Sequence, residues 1–160
     1  MTKSADSSNS SLPQNKVLVI GYGNSLRGDD AAGQIIVEKI ESLKIKNVDT
    51  LALQQLTPDI AEIISRYQIV FFVDASDDKL VNEVQVLDIK HSDNAPRIEH
   101  AMTPEDLLRL THELYAATPT PKCIIIPAQN FEFSEVLSPL TESFIEPAIK
   151  IIIEQIKLFH

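Results

Sequence analysis

Short apolar runs alternate with amphipathic segments along the chain, and this pattern predicts a layered α/β domain. Runs rich in β-branched residues predict strands at residues 16–21, 48–53, 69–74, 83–89 and 122–128. The segments between and after them predict helices at residues 33–43, 57–64, 103–115 and 138–156. This order predicts a three-layer sandwich, with helices on both faces of a mostly parallel, twisted central sheet.

Individual segments refine that arrangement. The run 69–74, IVFFVD, is the most apolar in the chain and is predicted to lie in the middle of the sheet, whereas the alternating run 83–89 is predicted nearer an edge. Thr57, Thr103 and Ser138 each precede a proline, which predicts three helix N-caps. Pro147 is predicted to kink the last helix.

Composition and charge narrow the class of protein. The chain of 160 residues suits a single domain over residues 16–160, preceded by a polar, disordered lead-in over residues 1–15. A net charge of −9 argues against nucleic-acid and anionic-membrane partners. The one cysteine favours a reducing compartment, and neither a signal sequence nor a membrane-spanning run is recognisable, so we expect a cytoplasmic protein. We expect a monomer.

The loop GYGNSLRGDDAAG, residues 21–33, links the first strand to the first helix. Gly21 and Gly23 match the start of a dinucleotide fingerprint, but Leu26 replaces its third glycine and the P-loop lysine is missing. Asp29 and Asp30 would meet a phosphate with like charge at the helix N-terminus. The loop therefore disfavours nucleotide binding.

Three side chains are predicted to meet at one edge of the sheet, because chemistry in parallel sheets collects beyond the carboxyl ends of the strands. Asp30 lies in the first loop, Asp74 at the end of the middle strand, and His100 just before a helix. Two carboxylates and an imidazole suit a borderline divalent ion such as zinc or nickel.

Simpler roles for the same residues remain open. Asp29 or Asp30 would serve as a helix cap, Asp74 would close a turn in DASDD, and His100 would bond a nearby carbonyl. A Ser25–His100–Asp74 triad is disfavoured because Ser25 is not in a nucleophile elbow. Cys123 is predicted to be a buried, unreactive apolar residue.

Four stretches resemble the maturation endopeptidases of nickel–iron hydrogenases. The family's first-loop pattern is matched by Gly21, Gly23, Asn24, Leu26, Gly28, Asp29, Asp30 and Gly33. The stretch 54–76, ending in DAS, the stretch HAMTPEDLLRL at 100–110 and the stretch FEFSEVLSP at 131–139 follow in the family's order. The resemblance covers residues 16–157.

The resemblance implies an endopeptidase that removes the C-terminal extension of a nickel-loaded hydrogenase large-subunit precursor. By motif, Asp30, Asp74 and His100 would contact the nickel, which belongs to the precursor and is not a resident cofactor. Whether the metal or a carboxylate, Asp30 or Asp74, activates the attacking water stays open. The alternative is a non-catalytic chaperone module that binds nickel or the precursor without cleaving it.

Overall fold

The computed structural model describes residues 16–90 and 101–160, whose strands form one five-stranded sheet. The strands are β1 (Val17–Tyr22), β2 (Val48–Leu53), β3 (Ile69–Ser76), β4 (Gln85–Asp88) and β5 (Thr120–Pro127). They lie in the order β2-β1-β3-β5-β4. All neighbours are parallel except β4, which runs antiparallel to β5. The central place of β3 and the edge place of β4 confirm the sequence predictions.

Helices cover both faces of this sheet. They are α1 (Ala32–Ser42), α2 (Ile60–Ile64), α3 (Pro104–Tyr115) and α4 (Pro139–Lys157), and a 3-10 turn, Gly28–Ala31, leads into α1. Helices α1 and α4 pack together on one face, and α2 and α3 pack together on the other. The predicted three-layer α/β sandwich is therefore confirmed.

The central strands are apolar throughout because successive side chains point to opposite, equally covered faces. Phe71 packs against the side of α1 and α4, its neighbour Phe72 packs against the side of α2 and α3, and both are fully buried. Each such ring removes a large apolar surface from water. The sheet is thus a rigid base for the loops at its ends.

The helix caps show where the sequence reading was right and where it was wrong. Thr103 caps α3 with the reciprocal capping box, and Ser138 caps α4. Thr57 is not a cap, because α2 begins only at Ile60, after Asp59. Residues 57–61 instead form i→i+3 turns, and the Thr57 hydroxyl donates to the Asp59 carboxylate. Helix α4 continues through Pro147.

Some predictions fall on other parts of the chain. The lead-in over residues 1–15 and His100 lie outside the described residues. Among the helices of residues 16–90 and 101–160, none is both long enough and apolar enough to cross a bilayer.

Candidate active site

The loop after β1 is folded tightly by its own polar groups. The Asn24 carbonyl accepts from the Arg27 N–H at 3.1 Å, and the Asn24 side chain accepts from the Leu26 N–H at 2.9 Å. The Gln34 side chain, in the first turn of α1, donates to the Gly23 carbonyl at 2.7 Å. These bonds turn the chain back over the end of β1 and bring residues 28–31 above the sheet.

Asp30 faces back into this turn. Its Oδ2 accepts the Asn24 N–H at 2.7 Å, and the side chain is only partly buried. Gly23 has φ +146°, and a Cβ there would lie 2.0 Å from the Asp30 carbonyl oxygen. Only glycine permits this approach. In a nucleotide-binding loop, the backbone N–H groups bind phosphate. Here the Asn24 N–H is already bonded to the Asp30 carboxylate, which explains why nucleotide binding is disfavoured.

Asp74 lies two residues inside β3, and not at the end of the strand as predicted. Strand β3 continues to Ser76 along β5, whereas its pairing with β1 ends at Val73. Asp74 is thus the first β3 residue beyond the β1 ladder, and strand alternation puts its side chain on the same face of the sheet as Phe72, the face that α2 and α3 cover. Its Oδ1 accepts the Ala75 N–H at 2.8 Å.

The pKa of Asp74 reflects both its burial and the nearby carboxylate of Asp30. Burial raises the pKa of Asp74 to about 6, against hydrogen bonds from Ala75 and Tyr22 that lower it, and the negative charge of Asp30 adds to the increase. Asp30 and Asp74 therefore lie close enough, at the carboxyl edge of the sheet, for their negative charges to interact. Within residues 16–90 and 101–160, no three His, Cys, Asp or Glu side chains are arranged to hold a metal.

Two residues near Asp74 were not identified from the sequence. The Tyr22 hydroxyl bonds the Asp74 carboxylate, and burial followed by the charge of Asp74 raises the pKa of Tyr22 well above its ordinary value. The charge of Glu105, in the first turn of α3, raises the pKa of both Tyr22 and Cys123. The first turn of α3 therefore reaches the same face of the sheet as Asp74. Tyr22 continues the alternation of β1, which could have indicated its face.

Asp29 is a structural clamp. Its side chain is fully buried and accepts four hydrogen bonds, from the N–H groups of Gln129, Asn130 and Ser138 and from the Ser138 hydroxyl, at 2.7–3.0 Å. Burial alone would raise the pKa of Asp29, but these bonds outweigh it and hold the pKa below its usual value. Asp29 joins the first loop to the segment between β5 and α4.

The structure excludes the simpler roles considered for the three aspartates. Neither Asp29 nor Asp30 caps a helix, because the 3-10 turn and α1 have no side-chain cap. The turn after β3 is made by Ser76 and Asp78, whose side chains accept N–H groups, and not by Asp74.

Ser25 and Cys123, the other side chains that could act as nucleophiles, lack an activating environment within the described part of the chain. Ser25 is exposed, and its hydroxyl accepts from the Gln54 side chain at 3.1 Å. Cys123 is partly buried among apolar residues, and burial raises its pKa to about 12, with smaller contributions from Asp74 and Glu105. A thiol with that pKa is a poor nucleophile at neutral pH.

Two cavities differ in their relation to the carboxylates. A groove of about 460 Å³ lies at the carboxyl edge, beside the loop after β3 and the start of α4, lined in part by Asp77, Lys79, Gln129 and Leu140. A more apolar cavity of about 380 Å³ lies between the end of α3 and the start of β5, at the amino edge of the sheet. Of these two cavities, the groove lies at the same edge of the sheet as Asp30 and Asp74, but neither carboxylate lines it.

Several solved structures with the same architecture are hydrogenase maturation proteases. The [NiFe] hydrogenase maturation protease HycI from Thermococcus kodakarensis KOD1 is 22% identical, with a TM-score of 0.71, over 90% of this chain and 94% of that one. The hydrogenase maturating endopeptidase HybD from E. coli is 20% identical, with a TM-score of 0.70, over 89% of this chain and 92% of that one.

A third similar structure is the hydrogenase 2 maturation peptidase from Thaumarchaeota archaeon SCGC_AB-539-E09. It is 21% identical, with a TM-score of 0.64, over 89% of this chain and 99% of that one. No protein-family model matches the sequence, and no curated protein matches it significantly. Over 89–90% of its length, the protein therefore has the fold of the hydrogenase maturation proteases.

Proposed function

We propose that this protein is an endopeptidase that removes the C-terminal extension of a nickel-loaded nickel–iron hydrogenase large-subunit precursor. The observation that carries the proposal is the pairing of Asp30 and Asp74 at the carboxyl edge of this fold. The proteins of similar structure are named as hydrogenase maturation proteases. The protein would act as a monomer in the cytoplasm.

The donor set fits the nickel of such a precursor. Asp30 and Asp74 concentrate negative charge in a partly buried place, and a divalent cation would relieve their mutual repulsion. Carboxylate oxygens are acceptable ligands for divalent metals, and an imidazole from His100 would complete an O,O,N set. The position of α3, which follows His100 in the sequence, supports this set. The negative charge of Glu105, in the first turn of α3, raises the pKa of Tyr22, which lies beside Asp74.

The residues around the carboxylates would orient them for catalysis. Asn24 and the Gly23 turn hold Asp30, whereas Tyr22 and the Ala75 N–H hold Asp74. A carboxylate fixed in this way is a suitable general base for a water molecule next to the scissile carbonyl. The nickel of the substrate would either position the peptide or polarise its carbonyl.

The direct test is to incubate the purified protein with the large-subunit precursor of its own organism, in nickel-loaded and nickel-free forms, and to measure intact masses. We expect one defined C-terminal peptide to be lost from the nickel-loaded form alone. Asp30→Asn, Asp74→Asn and His100→Ala should abolish the loss. Asp77→Asn, an exposed acid at the same edge of the sheet, is the matched control and should cleave normally.

Two other outcomes would contradict the proposal. A stable complex with an unchanged precursor mass would favour a nickel- or precursor-binding chaperone. Cleavage that survives all three substitutions would mean that other residues carry the chemistry.

A further inference from the structure

Three large apolar side chains stand in solvent beside the candidate site. Phe133 is 83% exposed, Val136 is 72% exposed and Leu26 is 48% exposed. Leu26 belongs to the loop that carries Asp30, and the other two belong to the segment between β5 and α4. We call these three side chains the apolar loop surface.

Hydrogen bonds join the two segments of this surface. The Ser134 N–H donates to the Leu26 carbonyl at 2.9 Å, and the Gly28 N–H donates to the Ser134 carbonyl at 2.8 Å. The Arg27 side chain donates to the Phe131 carbonyl at 3.0 Å. Leu26 is therefore held directly against the segment that carries Phe133 and Val136.

The backbone beneath the surface is equally constrained. Gly28 has φ +53°, and a Cβ there would lie 2.7 Å from the Asn130 carbonyl oxygen, so the two segments touch backbone to backbone. The buried Asp29 clamp fastens both to the start of α4. The entropic cost of ordering these loops when a partner binds would therefore be small.

Exposed apolar side chains on an ordered loop are a feature of interaction sites. A phenylalanine that contributes nothing to the core loses water contact only when another molecule covers it, and aromatic side chains are frequent energetic centres of protein interfaces. The Asp30 N–H donates to the carbonyl of Arg27, the residue after Leu26, at 3.1 Å, so a molecule covering this surface would lie against the loop that carries Asp30.

The charges around the surface indicate the chemistry of its partner. Glu132 and Glu135 are exposed and flank Phe133 in the sequence. Neither carboxylate forms a salt bridge with any side chain of the described part of the chain. Arg27 is the one cation of the two joined segments, so the two glutamates leave the surface with a net negative charge. That charge is complementary to an apolar patch bordered by lysine or arginine.

We propose that the apolar loop surface docks the body of the hydrogenase precursor, through an apolar patch with a basic border that lies next to its C-terminal segment. This inference rests on the proposed function and adds to it the surface that selects the partner. The carboxylates act on the segment that is cut, whereas Leu26, Phe133 and Val136 hold the folded protein to which that segment is attached.

Steady-state cleavage of the nickel-loaded precursor tests this docking role. Phe133→Ser and Val136→Ser should each raise KM about tenfold, the size expected for an interface centre, and leave kcat within twofold because neither side chain touches Asp30 or Asp74. The matched control is Leu158→Ser, which changes a side chain of 75% exposure at the far end of α4. Its KM should equal that of the wild type.

Charge reversal tests the basic border separately. Glu132→Lys and Glu135→Lys should raise KM several-fold at low salt, and the difference should shrink as ionic strength rises. Glu154→Lys, an exposed acid near the end of α4, is the control and should leave KM unchanged.

The outcomes distinguish failure of the docking surface from failure of the function. If the wild type cleaves the precursor and Phe133→Ser and Val136→Ser keep its KM, the docking surface is wrong and the proposed function stands. If the same variants lower kcat and leave KM unchanged, the side chains act on chemistry and the docking role is also wrong. If the wild type neither binds nor cleaves the precursor, both proposals are wrong.

Discussion

Replacing Asp29 by asparagine tests the clamp, because asparagine keeps the shape of the side chain and removes its charge. In its best orientation the amide oxygen takes the place of Oδ2 and keeps three of the four hydrogen bonds. The amide NH2 group then faces the Ser138 N–H, so one charge-assisted bond is lost and two buried donors oppose each other. We expect a loss of about 2–4 kcal/mol in the free energy of unfolding.

In a domain of this size that loss lowers the midpoint of thermal unfolding by about 5–15 °C. The measurement is thermal and urea unfolding at pH 7, followed by circular dichroism. The control is Asp30→Asn, the adjacent residue, which is partly exposed and accepts one backbone N–H that an amide oxygen can also accept. It should cost less than about 1 kcal/mol. Equal midpoints for wild type and Asp29→Asn, or a larger loss for Asp30→Asn, would refute the clamp.

The effect of Asp29→Asn should also depend on pH. The hydrogen bonds hold the pKa of Asp29 below its usual value in the folded state. Their contribution is therefore fully present above the ordinary aspartate pKa of about 4 and is lost as the pH falls through the lower folded-state pKa. The unfolding midpoints of wild type and variant should converge at acid pH.

Two further predictions concern Asp74 and its neighbour. The pKa of Asp74 is about 6 in the folded state, so its charge destabilises the fold above that pH. Asp74→Asn should therefore raise the unfolding midpoint at pH 7.5, and this gain should shrink as the pH falls from about 6 towards 4. Tyr22→Phe removes a hydrogen bond that favours ionised Asp74, so its pKa should rise further and the acid limb of precursor cleavage should move to higher pH. A constant gain across pH, or an unmoved acid limb, would contradict these assignments.

The sequence predicted the sheet well because its signals are local. Phe71 and Phe72 are adjacent and both fully buried, as expected for a strand that is covered on both faces, and the β-branched, apolar run 69–74 already indicated such a strand. The capping box at Thr103 lies within four residues and was equally readable. Thr57 failed because the helix begins only at Ile60, after a turn whose i→i+3 bond is accepted by the Thr57 carbonyl.

The site was predictable only in part. The positions of Asp30 and Asp74 at one edge of the sheet follow from the rule that chemistry collects at the carboxyl ends of parallel strands, whereas their chemical roles stay predictions. The clamp role of Asp29 could not be read from the sequence, because its partners lie 100 and 109 residues further along the chain. Tyr22 was missed because an aromatic residue at the end of a buried strand is typical of a core. The site role of His100 stays a prediction.

The long separation between Asp29 and its partners has a consequence for synthesis of the protein. The first loop emerges from the ribosome early, yet the bonds that hold it come from Gln129, Asn130 and Ser138, near the end of the chain. Contacts this distant in sequence form late, after their loop-closure entropy has been offset by other packing. A partly made chain therefore carries Asp30 and Asp74 without the hydrogen bonds that fix the first loop. Cleaving competence should appear only when the last strand and helix have docked.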